Sequence, residues 1–186
     1  TPMLYAIGFL ILFTIGGLTV LFRGILSVDI HLHDTYFVVA HFPYVMVGGT
    51  VFGFLSGMHY WWPKMTGKLY NEGLARVAFG LIFLGFNITF LSQFIMGSQG
   101  MPRRYYDYLD QFQPLHMTSS GGAFVLGFGF LVLAVVFIQS MISGAKAPAN
   151  PWGSAGFEWM TTTPPHAHNF ETTPVITRGP YDYHLA

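Results

Sequence analysis

The sequence predicts an all-α membrane protein with four transmembrane helices, and three observations carry that prediction. Only 9% of the 186 residues are charged. A soluble domain carries roughly 25%, so this chain cannot coat itself with solvated groups. Hydrophobic residues make up 52% and aromatic residues 18%. Four apolar stretches, 3–22, 36–63, 74–96 and 115–142, are each long enough to cross a hydrocarbon core of roughly 30 Å. The formal net charge is zero, which gives no basis for nucleic-acid binding. The absence of cysteine excludes disulfides, iron–sulfur clusters and thiolate zinc sites.

The first stretch follows Pro2, holds no charge and ends at Arg23. It lacks the basic start of a signal peptide and is long enough to span. A first residue other than methionine is expected of a fragment or a processed chain. The next segment, 23–35, reads as a loop holding Asp29, His31, His33 and Asp34. Asp34 or Thr35 is the expected N-cap of the second span. That span closes on Tyr60, Trp61 and Trp62, the composition of an interfacial aromatic belt. Lys64 and Lys68 fall in a short polar connection before the third span. A loop over 97–114 carries Arg103 and Arg104 and leads into the fourth. These spans make a four-helix membrane region over 1–144. The remainder, 145–186, is rich in Pro, Thr, His and Trp without helical periodicity, and is expected to lie as an extended tail on the surface. Basic residues set the expected orientation. Lys64, Lys68, Arg76, Lys146 and Arg178 outnumber Arg23, Arg103 and Arg104, which puts the tail on the cytoplasmic side, or matrix side in a mitochondrion.

Three groups of residues carry candidate chemistry. His41 sits inside the apolar second span, about 9 Å below Thr35 at 1.5 Å per residue. An ionisable group at such a place marks a functional site by default, and imidazole is a common ligand for heme iron. The alternative is a histidine hydrogen-bonded to a neighbouring helix. His33 and Asp34 above it offer one imidazole and one carboxylate, suited either to a divalent ion with several waters or to a cap and a hydrogen bond. Arg103 and Arg104 suit bidentate capture of carboxylates or phosphates, or contact with lipid headgroups, with Asp107 and Asp110 at hand to neutralise them. Gly49, Gly53 and Gly57 form a small-residue face for close helix approach, and Asn87 and Gln93 are expected interhelical hydrogen-bond partners.

Two uninterrupted runs, His33-Asp34-Thr35-Tyr36-Phe37-Val38-Val39-Ala40-His41-Phe42 and Gly100-Met101-Pro102-Arg103-Arg104-Tyr105, resemble subunit I of the heme-copper cytochrome c oxidases. Thr1-Pro2-Met3-Leu4 and Asn87-x-Thr89-Phe90 fit as well. The resemblance covers essentially the whole chain and only helices nine to twelve of the family's twelve-helix bundle. The ending Gly179-Pro180-Tyr181-Asp182-Tyr183 is similar to bacterial members, which implies a bacterial inner membrane in preference to the mitochondrial one. By position, the resemblance implies that His41 is the axial ligand of the oxygen-reducing high-spin heme. It implies that His33 and Asp34 bind magnesium, that Arg103 and Arg104 contact heme propionates, and that Asp29 belongs to a polar cluster beside them. The implied cofactors are heme, of the a type, and magnesium, with copper held by residues outside this chain. The implied partners are the N-terminal part of subunit I, subunits II and III, the lipid bilayer, and cytochrome c or another donor acting through subunit II. The implied activity is reduction of oxygen to water coupled to proton translocation.

Two positions depart from the family pattern. Where it has His-Phe-His, this chain has His41-Phe42-Pro43, which removes the usual ligand of a low-spin heme. Proline also withholds the bond to the Val39 carbonyl and is expected to bend the helix below His41. Phe94 stands where the family has histidine. These departures keep two further readings open: a structural membrane subunit with an oxidase-derived fold, and a nitric-oxide-reducing relative.

Overall fold

The computed structural model describes residues 1–175 and residue 179. Arg178, used in the charge count, and residues 180–183 of the C-terminal motif lie outside the described residues. Helix α1 (Pro2–Gly24) begins on a proline, where the missing N–H belongs to a group that has no helical partner anyway. Ile25 is extended and separates it from α2 (Leu26–Leu32), a two-turn helix within the segment expected to be loop. Asp29 lies in the first turn of α2 beside its free N–H groups, which favour negative charge. None of its residues is buried, so α2 lacks the apolar face by which sequence periodicity reveals a helix.

Thr35 caps α3 (Tyr36–Met46): its Oγ1 accepts from the Phe37 N–H at 3.2 Å and donates to the Leu32 carbonyl at 2.7 Å. Pro43 lies inside α3 without ending it, and the Val47 N–H still reaches the Pro43 carbonyl. Helical bonding widens to a π turn over Val47–Val51 and then resumes as α4 (Phe52–Thr66), so that Tyr36–Thr66 forms one span. Gly67, in the left-handed conformation at φ 70°, stops α4. Asn71 caps α5 (Glu72–Ser98) by accepting from the Leu74 N–H at 3.0 Å. A 3-10 turn, Asp110–Phe112, leads into α6 (Gln113–Ser143). Four helical spans are thus long and apolar enough to cross a membrane.

The spans run antiparallel in chain order. Tyr5, Leu12, Tyr44, Phe52, Ile82, Phe86 and Leu133 form the main core between them. Polar groups in this interior are paired across helices: the Tyr44 hydroxyl donates to Asn87 Oδ1 at 2.8 Å, and Gln93 Nε2 donates to Ser119 Oγ at 3.1 Å. The glycine series meets α1 only at its start, where a Cβ at Gly48 would lie 2.7 Å from Leu12 Cβ and one at Gly49 3.0 Å from the Phe13 ring. Gly53 has open space around it and Gly57 meets only Trp61 of its own helix, whereas a Cβ at Gly97 would lie 1.8 Å from the Phe37 nitrogen. The stripe at spacing four turns partly away from α1, and the intimate contact is instead between α5 and the start of α3.

The aromatic cluster at the end of α4 also differs from a simple interfacial belt. Trp61 is exposed, but Trp62 is buried and donates to Ser140 Oγ at 2.8 Å. Tyr60 is held by the tail, donating to Ser154 Oγ at 2.8 Å and accepting from Trp159 Nε1 at 2.7 Å. The tail is anchored: Leu69 N–H donates to the Ala145 carbonyl at 2.8 Å, and the buried Lys64 ammonium donates to the Thr161 carbonyl at 2.9 Å.

Gly97→Ala is expected to force α3 and α5 apart, since the new methyl group would overlap backbone atoms that cannot rotate away. Overpacking of this kind costs about 1–3 kcal/mol or more. Thermal unfolding of the detergent-solubilised complex should fall by several degrees, with no change for Gly80→Ala, where space is open.

Candidate functional site

His41 is buried on α3, facing α1. Its Nδ1 lies 2.7 Å from Thr19 Oγ1, and that hydroxyl donates to the Gly16 carbonyl at 2.7 Å. A threonine hydroxyl has one proton. With that proton directed to Gly16, Thr19 accepts from His41, so Nδ1 carries the imidazole proton and Nε2 presents its lone pair. Nε2 has no hydrogen-bond partner among the described residues. A metal-binding imidazole typically has this arrangement, its second nitrogen tied to an acceptor that fixes tautomer and ring orientation. On this test the residues present fit an iron ligand at His41.

The polar segments above it form one linked cluster. The Arg103 guanidinium grips Asp34 through two nitrogens, with Nε 2.7 Å from Oδ1 and Nη2 closer still. The other carboxylate oxygen of Asp34 lies 3.2 Å from His33 Nε2. His33 Nδ1 is 3.9 Å from Asp29, and Asp29 is 3.7 Å from Arg23 Nε. The Arg23 guanidinium in turn lies 5.7 Å from the centre of the Phe42 ring, next to His41. Arg103 holds the Asp34 carboxyl below the ordinary carboxylate range, chiefly through its hydrogen bond. The Asp34–Arg103 contact therefore stabilises the fold above the ordinary carboxylate pKa and is lost only as pH falls through the lower folded value.

The His33 Nε2 and Asp34 Oδ2 atoms suit neighbouring positions around a small divalent ion. Adjacent ligands in an octahedral magnesium site with bonds of roughly 2.1 Å lie about 3 Å apart. His33 and Asp34 are 63% and 57% exposed, so waters or a partner chain can complete the coordination. The donor set fits as part of a site; no group of three or more His, Cys, Asp or Glu residues converges on one point among the described residues.

Arg103 is thus committed to Asp34, not to Asp107 or Asp110. Arg104 is exposed and makes no ion pair among the described residues. Its backbone, like that of Asp34, is left-handed, at φ 68° and 54°. Such strain in residues with a side chain persists where surrounding contacts enforce it. Thr19 and Arg23 are participants that the sequence reading missed as such. Nothing in the run Gly16-Gly17-Leu18-Thr19 singles out a hydroxyl two turns from a loop, and Arg23 reads as a span-ending charge. His116 is turned to the 97–114 loop and the start of α3, its Nε2 3.1 Å from Met101 Sδ and its ring against Tyr36 and Tyr108. Phe94 packs between Phe37 and Tyr44, at ring separations of 4.8 and 5.4 Å.

Residues 1–125 match the family model described as cytochrome c and quinol oxidase polypeptide I. The chain is 48% identical over 183 residues to cytochrome c oxidase subunit 1 of Thermostichus vulcanus, covering 98% of this chain and 33% of the relative. It is 45% identical over 177 residues to cytochrome c oxidase subunit 1 of Cereibacter sphaeroides, covering 94% and 31%. It is also 43% identical to the heme-copper oxidase subunit I+III of Aeropyrum pernix, covering 95% of this chain and 22% of that one. The chain therefore spans about a third of the length of the first two relatives. Its fold matches a chain of a heme-copper terminal oxidase dimer solved by cryo-electron microscopy, with TM-score 0.70, 23% identity, and coverage of 79% of this chain and 27% of that one. The matched residues include His33, Asp34, His41, Arg103 and Arg104, and the chain belongs to the cytochrome c and quinol oxidase polypeptide I family, the subunit I family of the heme-copper oxidases.

Proposed function

We propose that this chain forms the C-terminal wall of an oxidase subunit I and supplies the proximal ligand of its high-spin heme through His41 Nε2. The observation that carries this reading is the His41–Thr19–Gly16 relay, which leaves Nε2 as a lone pair with a fixed direction. A bound heme of the a type would supply the iron for reduction of oxygen to water, with copper held by the rest of the subunit. In this reading His41 positions that group, Thr19 holds the imidazole tautomer, and Arg104 with the remaining Arg103 N–H groups neutralises its propionates. Arg23 and Asp29 extend the same polar edge. His33 and Asp34 hold magnesium with waters.

The whole assembly would then couple oxygen reduction to proton translocation in a bacterial inner membrane. It would join this chain to the N-terminal part of subunit I and to subunits II and III, with cytochrome c or another donor feeding electrons through subunit II. Two of the relatives, from Thermostichus vulcanus and Cereibacter sphaeroides, are bacterial, which supports that membrane. Pro43 favours a second reading, in which the chain keeps the fold as a structural subunit. Neither His59 nor His116 replaces the ligand missing at 43: His59 lies sixteen residues on, about 24 Å along a helix, and His116 is turned to Met101.

His41→Ala is expected to remove the high-spin heme signal from the purified complex while the spans still insert, because alanine offers iron no ligand. Full heme occupancy with normal oxygen turnover would refute the assignment. Thr19→Val should keep the heme but shift the iron–histidine stretching band in resonance Raman spectra, since the imidazole loses its acceptor; an unmoved band would remove Thr19 from the site.

Asp34→Asn or His33→Ala should weaken divalent binding at least tenfold, read by manganese paramagnetic resonance, without loss of heme. Unchanged occupancy in both variants would leave only the cap and ion-pair role. Optical spectra of the unaltered complex should lack a bis-histidine low-spin signal that depends on this chain. Such a signal, surviving His116→Ala and traced to ligands on other chains, would show that Pro43 leaves the second heme site unaltered.

A further inference from the structure

At the end of the bundle that carries Lys64 and Lys68, three buried rings each have a polar atom without a hydrogen-bond partner among the described residues. These atoms are the Tyr5 hydroxyl on α1, Nε2 of His59 on α4, and the Tyr70 hydroxyl in the α4–α5 connection. Tyr5 and His59 are fully buried and Tyr70 is 9% exposed. Their rings touch: Tyr5 stacks on His59 at 4.9 Å, and Tyr70 meets it edge-on at 5.2 Å. Phe137 closes a third side at 4.9 Å.

The chemistry of the three atoms is complementary. His59 Nδ1 lies 2.7 Å from the Leu55 carbonyl, which can only accept, so Nδ1 bears the proton. Nε2 then presents a lone pair that needs a donor, while two phenol hydroxyls have protons to give. No direct bond joins them. Leaving three such groups buried and dry is costly. A small neutral molecule that both donates and accepts would satisfy them together, and buried waters typically make about three such bonds.

We propose that Tyr5, His59 and Tyr70 enclose an internal water that donates to His59 Nε2 and accepts from the phenols. Burial, and then the nearby Glu72 carboxylate, push the Tyr70 phenol up, so it stays a donor.

High-resolution cryo-electron microscopy of the complete complex tests the water directly. The expected result is isolated density within hydrogen-bond distance of His59 Nε2 and of at least one of the two phenol oxygens, lost in His59→Phe. A dry contact, a direct tyrosine–histidine bond, or a side chain from elsewhere in the complex occupying the position would overturn the proposal. The wild-type map decides even if the variant does not assemble.

Discussion

The arrangement depends first on the clasp between the start of α3 and the segment after α5. Two backbone hydrogen bonds join them in opposite senses: the Tyr36 N–H donates to the Met101 carbonyl at 2.9 Å, and the Arg103 N–H donates to the Asp34 carbonyl at 2.8 Å. The Arg103 guanidinium closes the same contact onto the Asp34 side chain. Directly below, Gly97 lets the α5 backbone press on Phe37. These contacts fix where α3 begins and its register against α5. His41 lies six residues on from Thr35, so its depth is set by the clasp, and its orientation is then set by Thr19 on α1. Ion pairing at an exposed carboxylate is weak by itself. Here it is coupled to two main-chain bonds and a helix cap, which hold its geometry.

Much of this was legible in the sequence because the membrane imposes strong constraints. A span must be long, apolar and internally hydrogen-bonded, so the four helices announce themselves by composition. Thr35 as a cap, and Asn87 and Gln93 as interhelical partners, follow from the cost of leaving polar groups unpaired in lipid. Pairings between distant segments were not legible. Arg103 has Asp107 and Asp110 close in sequence, yet its partner is Asp34, because the fold brings the two loops to one end. Thr19 is an ordinary apolar-span threonine until α1 is laid against α3. Tyr60 and Trp62 have a belt composition, but the tail and α6 cover them. The glycine stripe holds only at Gly49, beside Phe13, for a related reason: spacing four identifies a face, and nothing local says how far along it a neighbour lies.

The departures at Pro43 and Phe94 are best understood from the two faces of α3. His41 looks toward α1, where Thr19 and Gly16 order its ring. Residues two apart on a helix point about 200° apart, so position 43 lies on a side that His41 does not serve. Tyr44 meanwhile faces α5, bonding Asn87, and Phe94 packs between it and Phe37. Relative to the family pattern, both exchanged positions have lost an imidazole and gained an apolar ring. The helix absorbs the proline, keeping the Val47–Pro43 bond and widening to a π turn only beyond it. The polar apparatus of α3 is consequently one-sided. Its α1-facing side and its capped end carry the groups that can hold a metal or a charged cofactor edge, and its α5-facing side is closed by aromatic packing. A structural role alone gives no physical reason for the His41–Thr19–Gly16 relay, which fixes the tautomer and direction of the imidazole and leaves Nε2 free to bind a ligand. Retention of that relay beside the altered positions is what makes iron ligation at His41 the stronger of the two readings.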